Sequence, residues 1–407
     1  MRPYAITDEI FWVGVVAWAT RNFHGYSRSP LGTTYNAFLV KDEKVTLFDT
    51  VEAEHKDEFF CNVTSTLGSL DKVDYIVVNH LEPDHGGCLI EAVERMKPEK
   101  IFCSPMGERN IKSLYHHSSA DWPIEVCPSG HSVSIGKRTL KFLETRMLHW
   151  PDNMVTYIPE EKMLISSDAF GQNISSSERF ADEIDRGLVL HALKEYFANI
   201  VQPYSPVTLK TLDKIEELAL DIQTLMPDHG LIWRGEDCKW VLDRYREFAT
   251  AKPKNRALIL YDTMWHSTEM MAEAVAGGLQ SEGVSVKIMN AKKDHHSTIV
   301  TELFDCGALV LGSPTHNNGI LPNIAGTLQY IKGLRPLNKV GGCFGSYGWS
   351  GESVKILAEW LDKIGIEKVA GDAVKVQNAP THETFEACYA YGKEIAKALK
   401  AKIASFA

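Results

Sequence analysis

The chain has 407 residues, more than one hydrophobic core usually supports, so two domains are expected, each large enough for its own core. A composition of 44% hydrophobic and 24% charged residues predicts an ordinary soluble protein, and a net charge of −10 argues against a phosphate-binding surface for nucleic acid. No apolar run approaches the roughly 20 residues of a membrane span, so no membrane partner is expected.

The first strong signal is FWVGVVAWA, residues 11–19, which reads as a strand. It follows Asp8 and Glu9, where a secretory leader would carry positive charge. Up to about residue 250, short β-rich runs dominate: YNAFLV, VTLFDT, VDYIVV, KIFCS, TLKFLETRML and KMLISS. Helical periodicity enters only between or after them, as in LVLHALKEYFANIV and CKWVLDRYREFATA. This order predicts a strand-rich layered domain, residues 1–250, with helices on its outside. After a linker at 251–255, AKPKN, the rhythm changes to alternation. ALILYD is followed by a helix over 267–280, then VSVKIMN, ALVLGS, GGCFGSY and helices near 352–364 and 384–402. Strand and helix taking turns predicts a doubly wound parallel sheet over 256–407. The eight cysteines form no CxxC pair, which excludes an appended rubredoxin-type module and predicts reduced thiols in a cytoplasmic protein.

In the first domain, potential metal ligands sit just past apolar strands. HLEPDH offers His80, Glu82, Asp84 and His85; MLHWPD offers His149; ISSDAFG offers Asp168; MPDHG offers His229, with Asp228 beside it. Four ligating groups within six residues cost desolvation and like-charge repulsion unless a cation offsets them. One mononuclear site cannot use seven side chains, whereas two metals sharing a bridging carboxylate can. HLEPDH is close to the HxHxDH run of zinc hydrolases, but Glu82 stands at the second ligand position. Four-coordinate zinc favours nitrogen and sulfur, so the added carboxylate points to a pair of irons and to redox chemistry. A zinc-dependent metallo-β-lactamase-type hydrolase, fused to a flavodoxin-like electron-transfer module, is the alternative.

In the second domain, YDTMWHSTEMM joins the first strand to its helix. Backbone N–H groups at the helix start and the hydroxyls of Thr263, Ser267 and Thr268 suit a phosphate, and the lack of a lysine in the loop argues against a Walker-type nucleotide site. GSPTHNNG and GSYGWSGE follow later strands, with glycine for close approach and Trp349 for stacking on a flat ring. Three such loops at the carboxyl ends of parallel strands predict a flavin.

Together HLEPDH, MLHWPD, ISSDAFGQN, YFANIV and PDHG, in this order and spacing, resemble the flavodiiron proteins. In that family a metallo-β-lactamase-like αββα sandwich with a non-haem diiron centre is fused to a flavodoxin-like FMN domain. The resemblance implies that His80, Glu82 and His149 hold one iron, that Asp84, His85 and His229 hold the other, and that Asp168 bridges them. It places His24, Tyr196 and Phe197 at the substrate pocket, with His24 and Tyr196 as candidate catalytic groups. For FMN it implies Thr263, Met264, Trp265, His266, Ser267 and Thr268 in the first loop, Ser313, Pro314, Thr315, His316 and Asn317 in the second, and Ser346, Tyr347, Gly348 and Trp349 in the third. The implied activity is reduction of O2 to water, of NO to N2O, or both. Electrons would come from a rubredoxin or a reduced deazaflavin coenzyme, in a head-to-tail homodimer or a dimer of dimers.

Overall fold

In the computed structural model, which describes residues 2–369 and 373–406, the chain divides into two units. One runs up to Tyr196 and resumes over Tyr204–Ala249; the other comprises Phe197–Pro203 and the chain from Thr250 onward.

Two large sheets form the body of the first unit. The larger has seven strands in the order Tyr4–Ala5, Ile10–Trp12, Phe38–Val40, Thr46–Phe48, Tyr75–Val78, Lys100–Cys103, Ile124–Val126. It is antiparallel as far as Thr46–Phe48 and parallel beyond. The other has six: Ser132–Ser134, Thr139–Glu144, Met154–Ile158, Met163–Ile165, Thr224–Met226, Trp233–Arg234. Side chains alternate between the faces of a strand, and here both faces are buried. Tyr75 and Val77 enter an inner core with Phe142, Met154, Ile165 and Met226 of the second sheet. Ile76 and Val78 pack outward against Phe59, Val63, Leu89 and Val93 of the helices Lys56–Leu67 and Leu89–Met96. On the second sheet Leu164 and Leu225 are fully buried on the opposite face from Ile165 and Met226. The unit is an αββα sandwich.

The apolar run at residues 11–19 is not one strand. Ile10–Trp12 joins the large sheet, while Val15–Ala17 pairs with Thr33–Tyr35 in a separate ribbon. Gly14 marks the break, because a Cβ there would lie 2.2 Å from the Tyr35 carbonyl oxygen. LVLHALKEYFANIV is also divided: the α-helix Arg186–Tyr196 gives way to a π-helical turn, Phe197–Val201.

The second unit is a parallel sheet in the order Ser285–Asn290, Arg256–Tyr261, Ala308–Gly312, Val340–Tyr347, with Glu367–Lys368 and Val374–Gln377 both pairing with the last. Leu258, Leu260, Leu309 and Leu311 fill one face, and Ala257, Ile259, Ala308 and Val310 the other. Helices Ser267–Ser281, His296–Phe304, Pro322–Leu334, Ser353–Ile364 and His382–Ala404 complete the doubly wound fold. The strand order is that of flavodoxin, with a switch point beside the first strand where ligands bind at the carboxyl ends.

Candidate functional site

The strand Tyr75–Val78 ends in a loop that buried acids hold open. Asp49 accepts from the Asn79 N–H at 2.7 Å, the Asn79 Nδ2 at 2.9 Å and the His80 N–H at 3.2 Å. Asp152 accepts from the Leu81 N–H at 2.7 Å and Asn110 Nδ2 at 3.1 Å, and its Oδ2 lies 3.6 Å from His80 Nδ1. Pro83 then starts the one-turn helix Pro83–Gly86, where its fixed φ suits the first helical position, and this carries Asp84 and His85. On the facing sheet, Asp168 follows the strand Met163–Ile165 and His229 follows Thr224–Met226. His229 Nδ1 donates to the Thr34 carbonyl at 2.7 Å, which fixes the tautomer and leaves Nε2 as an electron-pair donor toward the cluster.

All seven predicted metal ligands converge. Asp168 Oδ2 lies 2.8 Å from His149 Nε2 and 3.6 Å from His80 Nε2, while Glu82 Oε2 lies 3.3 Å and 3.5 Å from those two nitrogens. Asp168 Oδ1 lies 3.1 Å from His85 Nε2 and 3.6 Å from His229 Nε2, and Asp84 Oδ2 lies 3.4 Å and 3.2 Å from the same pair. One carboxylate thus turns an oxygen toward each of two ligand sets. Burial pushes the Asp168 carboxyl upward, but the imidazoles of His229, His85 and His80 and the hydrogen bond from His149 outweigh it and hold it well below the carboxylate range. Burial disfavours a charged His229, but the Asp168 and Asp84 carboxylates outweigh it and draw its pKa up to about 9, so Nε2 binds a proton that a metal ion would displace.

The donor set fits metal better than it fits hydrogen bonding. His80 Nδ1 and Nε2, His85 Nδ1, Glu82 Oε2, Asp168 Oδ1 and both Asp84 oxygens are buried without a hydrogen-bond partner. His85 and His229 face each other Nε2 to Nε2 at 3.1 Å, a pairing in which two lone pairs repel unless a proton or a cation lies between them. Such groups are stable in an interior only beside positive charge.

Around this cluster the other predicted residues separate. Tyr196 is buried with its hydroxyl unpartnered and its ring 5.9 Å from that of His229; burial first, then the Asp168 carboxylate, keeps the phenol protonated. His24 is exposed on a hairpin tip at positive φ, and its neighbour Phe23 makes the edge contact with His229, at 5.5 Å. Phe197 belongs to the second unit and packs on Phe304. No sequence motif marks Asp49 or Asp152 as a site residue. Each lies far in sequence from the loop it holds, and only the fold brings them together.

In the second unit a cavity of about 480 Å³ opens at the carboxyl ends of the strands. Thr263, Met264, Trp265, Ser267, Pro314, Thr315, His316, Asn317, Ser346, Tyr347, Gly348 and Trp349 line it, together with Asn378 and Ala379. The last two follow the strand Val374–Gln377, and the rule that ligands meet strand carboxyl ends could have found them. His266, Thr268 and Ser313 lie outside the lining. His266 pairs with Glu269 at 2.6 Å, Thr268 meets Ser346 Oγ at 3.1 Å, and Ser313 Oγ accepts from the Leu321 N–H at 3.2 Å. No side chain caps the helix Ser267–Ser281, so its positive end is open to an anion.

Comparison with known proteins agrees with this division. A model described as ODP family beta lactamase matches residues 33–230, and the flavodoxin model matches residues 259–392. The class is therefore a β-lactamase-fold metal-binding unit joined to a flavodoxin unit. A rubredoxin-oxygen oxidoreductase of Megalodesulfovibrio gigas is 52% identical over 406 residues, covering 100% of both chains. A nitric oxide reductase of Moorella thermoacetica is 43% identical, covering 97% of this chain and 98% of its own. Among solved structures, the rubredoxin oxygen:oxidoreductase of Desulfovibrio gigas superposes with a TM-score of 0.97 at 51% identity, over 99% of this chain and 100% of the other. The flavodiiron protein of Giardia intestinalis gives 0.94 at 30% identity, over 100% and 98%. The chain belongs to the flavodiiron proteins.

Proposed function

We propose that this protein reduces O2 to water, NO to N2O, or both, with a pair of irons in the first unit and FMN in the second. The observation that carries the reading is the Asp168 carboxylate, which presents Oδ2 to His80, Glu82 and His149 and Oδ1 to His85 and His229, with Asp84 completing the second set. His80, Glu82 and His149 would hold one iron, Asp84, His85 and His229 the other, and Asp168 both. Bound iron and flavin would supply the redox chemistry, two electrons from each site, together the four that O2 requires.

The chain's own groups aim and enclose this chemistry. The Thr34 carbonyl holds the far nitrogen of His229, and the Asp152 carboxylate lies 3.6 Å from that of His80, while both Nε2 atoms face inward. Phe23 and Tyr35 lie edge-on to His229, at 5.5 Å and 5.6 Å, and wall that side with apolar surface. Tyr196 keeps its phenolic proton at Oη, a buried donor with no competing partner, available to an oxygen atom of the substrate. At the flavin cavity, the helix start at Ser267 and the Thr263 hydroxyl suit the phosphate, and Trp349, 88% exposed, offers a face to the flat ring.

The donor in this reading is a rubredoxin, as the M. gigas relative is named a rubredoxin-oxygen oxidoreductase; a reduced deazaflavin is the other candidate. A cytoplasmic setting agrees with eight free cysteines, and no helix among the described residues is long and apolar enough to cross a membrane. Because the metal cluster and the flavin cavity are built by different units, we further propose a head-to-tail homodimer that brings the flavin loops of one protomer to the metal site of its partner. The test is anaerobic purification followed by metal and flavin analysis and by gas consumption with reduced rubredoxin. About two irons and one FMN per chain, with consumption of O2 or NO, are expected. Two zinc ions with ester or phosphodiester cleavage would overturn the reading.

A further inference from the structure

The seven-ligand cluster leaves one neighbouring acid without a role. Asp228 is fully buried, and neither of its carboxylate oxygens has a hydrogen-bond partner. Its backbone is fixed, since its N–H donates to the Ser167 carbonyl at 2.8 Å and its own carbonyl accepts from the Asn36 N–H at 2.7 Å. The main chain that carries the side chain is therefore held in place. An oxygen of Asp228 lies within 4.8 Å of donor atoms on both His85 and Asp168.

The two other buried aspartates beside the cluster behave differently. Asp49 accepts from Asn79 and His80, and Asp152 from Leu81 and Asn110, so each is committed to holding a loop. The Asp228 carboxylate holds nothing. A buried carboxyl group without a donor is unfavourable unless positive charge lies close by, and the metal cluster is where such charge would be. Resting on the diiron reading above, we propose that Asp228 is a charge-compensating carboxylate of the two-metal centre. It is not one of the seven ligands. It acts through the metals, favouring their more positively charged, oxidised state and tightening the protein's hold on them. Attraction to a fixed anion grows with the charge of the cation, so the ferric state gains more than the ferrous.

The test is a redox titration of the full-length holoenzyme and of Asp228→Asn, which keeps the size of the side chain and removes its charge. Iron is followed by EPR and FMN by absorbance in the same sample. The iron potentials should move to more positive values while the flavin potentials stay put, and a chelator should strip iron about 10-fold faster. Asp228→Glu, which keeps the charge, should stay near the wild-type potentials. Iron potentials unchanged in the Asn variant, or shifted equally in the Glu variant, would overturn the proposal. Should the Asn variant hold too little iron to titrate, chelator stripping of Asp228→Glu and Asp228→Ser decides: slower loss from the glutamate variant supports the proposal, and equal loss overturns it. A wild-type enzyme without two irons would instead sink the functional reading.

Discussion

Asp152 shows how a residue that touches no substrate can govern a metal site. Its carboxylate holds the Leu81 N–H and the Asn110 amide and lies against His80 Nδ1, while its carbonyl accepts from Ser104 Oγ at 2.7 Å. Truncation would free the loop that carries His80, Glu82, Asp84 and His85 and would remove the negative charge that lies beside the His80 ring. Partners of this kind are worth about 10- to 100-fold in metal affinity. Asp152→Ala is therefore expected to weaken metal binding by that factor in chelator competition, with FMN content unchanged, since the flavin cavity draws no residue from this unit. Equal metal affinity in the variant would show that the loop holds its shape without the carboxylate.

At the scale of elements, the helices Ser267–Ser281 and His382–Ala404 meet through glycine. A Cβ on Gly278 would lie 2.0 Å from the Tyr389 carbonyl oxygen, and Gly392 approaches the Val275 carbonyl and Gly278 in the same way. Backbone cannot yield cheaply here. Gly278→Ala should cost about 2 kcal/mol, overpacking of about 3 kcal/mol less about 1 kcal/mol gained in helix propensity. It should also weaken FMN binding, because the same helix presents the phosphate-facing turn. Gly277→Ala is the control: its Cβ would meet the Tyr389 ring at an ordinary 3.5 Å, so a gain of about 0.5–1 kcal/mol is expected. Denaturation of both variants, followed by flavin fluorescence, separates the two outcomes.

These elements also show where a sequence reading carries and where it stops. VDYIVV and ALILYD are legible because a strand buried on both faces is apolar at every position, and the polar residues that follow it must lie at the sheet's carboxyl edge, where sites form. HLEPDH is legible because its charge density makes sense only beside a cation. The split at Gly14 is not, since an apolar run does not record which sheet each half joins. Nor is the role of Asp228, which depends on donors that are missing from its surroundings.

At the scale of the whole molecule, the chain does not complete one unit before starting the next. It passes to the second unit after Tyr196, returns at Tyr204, and passes over again at Thr250. The excursion matters to the flavin unit. Asn199 Nδ2 donates to Thr301 Oγ1 at 3.0 Å and to the Ser297 carbonyl at 3.3 Å, the Tyr330 hydroxyl donates to Asn199 Oδ1 at 3.0 Å, and Gln202 Nε2 donates to the Leu334 carbonyl at 3.0 Å. Ala198 is fully buried in the core that contains Leu258, Leu309 and Ile324. A cut at residue 250 would therefore remove part of the second unit's interior. Asn199→Ala in the full chain should destabilise the flavin unit by about 2 kcal/mol, the scale for losing several buried hydrogen bonds and leaving the Tyr330 hydroxyl without its acceptor. A fragment of residues 250–407 should melt lower than the flavin-linked transition of the intact protein and bind FMN more weakly, and a peptide of residues 197–203 should restore part of the difference. A fragment as stable as the intact unit would show that these seven residues are passengers on a domain complete without them.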